Sequence, residues 1–234
     1  MDSEPKNEKI FCGCGAEIPF NIEAFTIPET MAFLKKLRPT ICDDCGEKIQ
    51  KQRDAEVLSD RLSNFEQICP ALYINTDPEH PTFPREMLAK VLAWKYGPRG
   101  LVIRGDSRKG KSRCVWQLIK RLVMEGRKVE GMTSSEFARR SSAAWATGHE
   151  AVSEWVNTAS KAEILFIDDL GKFKLTERVE ADLFDIIENR VANLRPIIIT
   201  TNFTGDLLEK SFSETFAVPL VSRLREFCEP IHFK

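Results

Sequence analysis

The octet Gly105-Asp-Ser-Arg-Lys-Gly110-Lys111-Ser112 constrains this chain more than any other feature. It has the form G-x-x-x-x-G-K-S and stands between an apolar run, Gly100-Leu-Val-Ile-Arg104, and a helix-prone stretch over 111–125. A glycine-rich turn in that setting wraps backbone N–H groups around phosphates at a helix N-terminus. The nucleotide-binding set is therefore Gly105, Asp106, Ser107, Arg108, Lys109, Gly110, Lys111 and Ser112, with Arg113 next to it. Lys111 would reach the β- and γ-phosphates, and Ser112 would hold magnesium.

The pattern around the octet predicts the fold class. Strands are expected at 128–132, 163–167 and 196–200, with a further one over 229–233, and helices over 134–160 and 177–193. Strands alternating with helices give an α/β domain with a parallel sheet covered on both faces. Two strand ends carry polar chemistry. Ile164-Leu-Phe-Ile ends in Asp168 and Asp169: Asp168 would hold magnesium through water, and Asp169 would orient or deprotonate an attacking water. Ile197-Ile-Ile-Thr-Thr ends in Asn202, placed to bond a γ-phosphate or that water. Arg223 and Arg225, near the end of the sequence, are candidates for stabilising transition-state charge in a neighbouring subunit.

The N-terminal region reads differently. Cys12 and Cys14 form Cys-x-Cys, and Cys42 and Cys45 form Cys-x-x-Cys. Two close pairs of soft donors suit tetrahedral zinc, in a module whose small core needs a metal staple. Four thiolates close the coordination shell, so the role is structural. Cys69, Cys114 and Cys228 have no paired spacing and read as small buried hydrophobes. The domain plan is a zinc module over 1–47, a charged helical linker over 48–69, and a nucleotide-binding domain over 70–234. The stretch from Cys69 to Pro84, rich in proline, reads as an irregular loop.

Charge narrows the function classes. Lys plus Arg number 34 and Asp plus Glu 35, so a generally basic nucleic-acid coat is excluded while a local basic groove is not. Lys172, Phe173 and Lys174 combine charge with a stacking aromatic, as a single-stranded nucleic acid would need. Arg139 and Arg140 are a second candidate pair, and Trp94, Trp116, Trp145 and Trp155 read as packing residues. No apolar run approaches the roughly 18 residues of a membrane span. Met1–Lys9 lacks a secretory apolar core, so a cytoplasmic protein is expected.

In this order, the motifs resemble those of the AAA+ ATPases. They are most similar to the DnaC/IstB-like group of bacterial and phage helicase loaders and their transposition relatives. The resemblance rests on Ile167-Asp168-Asp169-Leu-Gly171, Ile186-Ile-Glu-Asn-Arg190, Thr200-Thr-Asn202 and Ser222-Arg223-Leu, and covers about residues 70–234. It implies an AAA+ (ASCE) P-loop domain, with Asn202 as sensor 1, Arg223 as the trans-acting finger and Arg190 as a second arginine facing a neighbour. The sequence continues only briefly past Arg223, so no C-terminal lid is expected.

By the same resemblance, the activity is ATP hydrolysis with magnesium. The function is loading the hexameric replicative DNA helicase onto single-stranded DNA during replication, with ATP switching grip and release. Self-association would give an ATP-dependent open ring or spiral. The cysteine module looks like the helicase-gripping domain of DnaI-type loaders, and the setting would be the bacterial cytoplasm, for a bacterial or a phage protein. The alternative is an IstB-like transposition ATPase acting on duplex target DNA. A GTPase lacks its N-K-x-D signature here, a metabolite kinase lacks its lid arginines, and a zinc adaptor with a vestigial site would show no turnover.

Overall fold

Continuous apolar strands persist only where helices cover both faces of a sheet, and here both are covered. The structure is a computed structural model and describes residues 10–18, 40–203 and 205–233. The readings made on Met1–Lys9 and on the segment joining the two cysteine pairs lie outside the described residues. The chain divides into two compact units, residues 1–60 and 61–234. Among the described residues no helix is long and apolar enough to cross a membrane.

In the first unit, β1 (Ile10–Phe11) and β2 (Glu17–Ile18) pair antiparallel, with Ile10 opposite Ile18. Cys12 and Cys14 sit in the turn between them. Bonds of 2.8 Å, from Gly15 N to Cys12 O and from Cys12 N to Ala16 O, close that turn. Helix α1 (Asp43–Ile68) starts directly after Cys42. It begins ahead of the charged linker read over 48–69. Asp43 and Asp44 occupy its first turn, where carboxylates suit the positive end of the helix dipole.

The second unit runs in order α2 (Ala71–Ile74), α3 (Arg85–Ala93), β3 (Gly100–Gly105), α4 (Lys111–Met124), β4 (Val129–Thr133), α5 (Ser134–Thr147) and α6 (His149–Lys161). It continues with β5 (Ile164–Leu170), α7 (Glu177–Ala192), β6 (Ile197–Thr201), α8 (Gly205–Glu209), α9 (Ala217–Phe227) and β7 (Cys228–Phe233). The stretch read as helical over 134–160 is two helices, broken at Gly148 with φ 137°. Helices α2, α3, α8 and α9 have no counterpart among the helices expected from the sequence.

All four strand pairings are parallel, in the order β4-β5-β6-β3-β7. Side chains alternate strictly between faces. Leu101, Ile103, Ile164, Phe166 and Ile198 pack with α3, α4 and Phe65 of α1. Leu165, Ile167, Ile197 and Ile199 pack with α5, α6, α7 and α9. This two-sided burial fixes the register, since a one-residue slip would exchange the two sets. It also places the C-terminal ends of β5, β6 and β3 side by side.

Candidate nucleotide site and metal centre

A cleft of about 1060 Å³ opens at those three strand ends. Residues 107–113, Asp169 and Asn202 line it, together with Leu72, Tyr73 and Phe83 from the segment read as an irregular loop and Met87 of α3. That apolar wall was missed in the sequence. Its one signal is the set of large side chains scattered among the prolines of 70–84. Tyr73 stacks on Trp116 at 6.3 Å between ring centroids, and the Arg113 guanidinium lies 5.8 Å from the Tyr73 ring.

The loop needs its glycines for two different reasons. Gly110 has φ 86°, and a Cβ there would press on Pro84 at 3.0 Å. Gly105 has φ 145°, and a Cβ would lie 2.2 Å from the Phe233 carbonyl oxygen. The loop is thus clamped between the end of β7 and the start of α3. Lys111 is buried, with its ammonium donating to Gly105 O at 2.8 Å, Asp106 O at 2.8 Å and Asn202 Oδ1 at 2.7 Å. Burial pulls its pKa down, opposed by Asp169, Asp168 and Asp106.

Ser112 Oγ donates to Asp168 Oδ1 at 2.8 Å. With its proton on Asp168, the Ser112 oxygen keeps its lone pairs for a magnesium ion, and the carboxylate lies where it can hold that ion through water. Thr200 Oγ1 donates to the same carboxylate oxygen. Burial raises the Asp168 pKa, and the hydrogen bonds from Thr200 and Ser112 work against it. Between the Ile167–Ile199 and Leu170–Thr201 pairs the register shifts, forming a bulge that carries both acids. Asp169 has φ 59°, a left-handed conformation that Asp tolerates better than most residues. Its carbonyl accepts from Ser134 Oγ at 2.8 Å, and its Oδ2 lies 3.2 Å from Lys172 Nζ. Ser134 was not singled out in the sequence, and Thr200 stood there only within the Thr200-Thr-Asn202 motif, with no role of its own.

The arginines divide. Arg223 lies on α9, away from the residues that line the cleft. Its Nε bonds Glu188 Oε1, and its terminal nitrogens reach Glu188 Oε2 at 3.3 Å and Glu226 Oε2 at 3.1 Å. Glu188 is the main cause of its raised pKa. Arg225 pairs with Glu209 at 3.1 Å. Arg190 does not face a neighbour, which corrects the sequence reading: it is fully buried. It donates to the carbonyls of Ala159 at 2.8 Å, Ala162 at 2.8 Å and Pro196 at 2.5 Å, with longer bonds to Ser160 and Glu163. It neutralises the carbonyl end of α6, and burial pulls its pKa down to about 10.

Phe173 is half exposed beside Lys172. Arg140 is engaged by Glu130 and Glu136, each at 2.7 Å, which lowers its value as a nucleic-acid contact. Trp94 and Trp116 are buried, Trp155 packs on Phe137, and Trp145 Nε1 donates to Asp182 at 3.1 Å.

In the first unit, the sulfurs of Cys12, Cys14, Cys42 and Cys45 all lie within 4.8 Å of one another, with Cys14 and Cys42 at 3.6 Å. Zinc–sulfur bonds in a tetrahedron put sulfurs about 3.8 Å apart, so the set fits that ion. A hydrogen bond from the Cys14 backbone lowers the Cys12 thiol to about 6. Hydrogen bonding among the sulfurs, first with Cys14, pushes Cys45 up to about 12. Four thiolates this close need a cation to share.

The strand order, the phosphate-type loop after β3 and the acids on the neighbouring strand end decide the architecture of the second unit. It has the AAA+ P-loop fold. Solved structures similar to it include the DnaC helicase loader, with TM-score 0.56 and 21% identity, covering 70% of this chain and 100% of that one. DnaI gives 0.53 and 17%, covering 68% and 86%. The replication initiator DnaA, bound to AMPPCP and single-stranded DNA, gives 0.54 and 18%, covering 74% of this chain and 49% of DnaA. This chain thus spans about half the length of the DnaA chain it matches. No family model matches the sequence, and no curated protein matches it. Identities this low establish a shared AAA+ fold.

Proposed function

We propose that this chain is an ATP-hydrolysing loader of a hexameric replicative helicase onto single-stranded DNA. The observation that carries the reading is the convergence of Lys111, Ser112, Asp169 and Asn202 on one cleft, on a chain that also holds a four-thiol cluster. The DnaC structure is described as that of a helicase loader, and DnaA was solved with an ATP analogue and single-stranded DNA. Those descriptions support the reading.

In this reading each residue has a role. Lys111 exchanges part of its oxygen cage for the β- and γ-phosphates. Ser112 and Asp168 hold magnesium, which supplies charge neutralisation at the phosphates. Asp169 orients the attacking water and accepts its proton. Asn202, released by Lys111, senses the γ-phosphate. The wall of Leu72, Tyr73, Phe83 and Met87 takes the base. Arg223, held out by Glu188, completes the site of an adjacent subunit in an ATP-dependent ring or spiral. Residues 1–47 are a zinc-stapled module that grips the helicase, 48–69 a linker, and 70–234 the motor. Lys172, Phe173 and Lys174 contact the DNA strand, and the chain works in the cytoplasm.

Native mass spectrometry tests the reading, with and without ATP and with the helicase of the same source. A discrete assembly of several copies with one helicase hexamer supports it. Zinc and ATP bound without any helicase complex would shift the reading to a transposition ATPase on duplex DNA. Asp169→Asn should keep ATP affinity while turnover falls by about 100-fold or more, the usual contribution of a positioned base.

A further inference from the structure

A bulge leaves backbone groups of the ladder without partners, and the acids of this site sit on one. Ile167 pairs with Ile199 and Leu170 with Thr201, so Asp168 and Asp169 together stand opposite the single residue Thr200. Threonine side chains take over the broken ladder. Asp169 N donates to Thr200 Oγ1 at 2.8 Å, and Thr201 Oγ1 donates to Leu170 O at 2.8 Å. Thr200 is fully buried. A hydroxyl has a single proton, and with the Asp169 amide aimed at its oxygen that proton goes to Asp168 Oδ1. Ser112 Oγ donates to the same oxygen at 2.8 Å. Among the described residues no group donates to Asp168 Oδ2, so one oxygen is anchored and the other is left for outside chemistry.

We propose that Thr200 is a positioning residue for both acids. Its hydroxyl fixes the face that Asp168 presents to a metal ion and the left-handed turn from which Asp169 enters the cleft. The inference rests on the nucleotide-site reading and deepens it: three consecutive side chains at the end of β6 are then assigned, with Thr200 aiming the acids, Thr201 closing the bulge and Asn202 holding Lys111. The effect belongs to the hydroxyl and not to the bulk of the side chain. Valine has the same shape without the hydroxyl, and serine has the hydroxyl without the methyl.

Thr200→Val and Thr200→Ser separate the two. A fluorescent ATP analogue is titrated into each full-length protein, first in a chelator and then across a magnesium series, and phosphate release is measured alongside. For Thr200→Val, affinity in chelator should stay near the wild-type value. The magnesium concentration for half effect should rise, and turnover should fall, each by about 10- to 100-fold, as when an outer partner of a metal ligand is removed. Thr200→Ser should restore both. Wild-type magnesium dependence in Thr200→Val overturns the inference alone, and so does a Thr200→Ser protein as impaired as the valine variant. If Thr200→Val does not fold, Thr200→Ala takes its place in the comparison with serine. A wild-type protein that binds no nucleotide overturns the nucleotide-site reading itself.

Discussion

Lys111 Nζ and Asn202 Oδ1 are 2.7 Å apart although 91 residues separate them in the sequence. The bond ties the phosphate-type loop to the end of β6. An ammonium has three protons, and here all three are spoken for: two by backbone carbonyls of the loop and one by the Asn202 amide. The two carbonyls are fixed by the turn, whereas the amide can rotate. A phosphate that recruits Lys111 therefore frees Asn202 first, and the freed amide can present its N–H₂ to the same phosphate.

Substitutions at the two ends of that bond should differ in kind. Lys111→Ala removes the charge that meets the phosphates and should weaken nucleotide binding by about 100-fold, near the 3 kcal/mol of a charge-assisted hydrogen bond. Asn202→Ala should bind nearly as well and lose about 100-fold in turnover, as when one preorganised donor is removed from a developing charge. Analogue titration and phosphate release on both variants check this. An equal loss of affinity in the two would refute the sensing role.

As a trans-acting finger, Arg223 should bear on turnover and not on binding within its own subunit. Glu188 and Glu226 hold its guanidinium from two directions, so it is preoriented on the surface of α9. Arg223→Ala should leave ATP affinity unchanged and cut hydrolysis by about 1000-fold, the lower range for a lost arginine finger. Mixing it with Asp169→Asn protein should restore part of the activity, because a sound finger then meets a sound cleft at some interfaces. Activity no higher than the sum of the separate variants would sink the trans assignment.

What the sequence disclosed and what it hid separate by range. The P-loop, the paired acids and the strands of the sheet are local patterns, written in consecutive residues or in apolar runs whose burial is two-sided. The part that Thr200 plays was hidden, because it depends on a register shift between β5 and β6 that no residue in either strand announces. The apolar wall was hidden for a similar reason: Leu72, Tyr73, Phe83 and Met87 form a surface only once α2, α3 and the P-loop are packed. Gly148 did mark the break between α5 and α6, in a stretch whose helix formers on both sides masked it. Arg190 was misread because an arginine beside family-like residues invites a partner in another subunit, while its acceptors are carbonyls of α6 and the strand starts.

Those acceptors set the third prediction. Arg190→Ala would leave several buried carbonyls without donors at the junction of α6, β5 and β6. The expected cost is about 3 kcal/mol or more, the range for a broken buried charged network. Denaturant unfolding should show that loss without nucleotide or DNA present. Mixing with Asp169→Asn protein should give no rescue, in contrast to Arg223→Ala. A stable Arg190→Ala protein that regains turnover on mixing would reinstate the intersubunit role.

Thiol chemistry gives the last test, because the seven cysteines fall into two classes. Burial pushes Cys114 and Cys228 up to about 12 and Cys69 up to about 11. The thiolate is the nucleophile, and at pH 8 a thiol with pKa 12 is ionised in about one molecule in ten thousand, so these three should resist alkylation until the AAA+ unit unfolds. The sign is set by the direction of the shift: raising the pH toward 11 or 12 increases their reactivity, and lowering it suppresses it. Cys12, with its thiol drawn down to about 6, is the opposite case. Zinc would protect it along with Cys14, Cys42 and Cys45. Addition of a strong chelator should release one zinc per chain and open the cluster, which removes the sulfur–sulfur hydrogen bonds that raise Cys45 and leaves four alkylatable thiols, while the melting transition of residues 61–234 stays in place. Cys42→Ser should expose the three remaining cluster thiols without chelator, because three donors hold the ion weakly. Mass spectrometry of alkylated peptides reads both classes at once. Labelling of all seven thiols on chelation would mean that the metal supports the whole chain, and labelling of four thiols without chelation would mean that no metal closes the cluster.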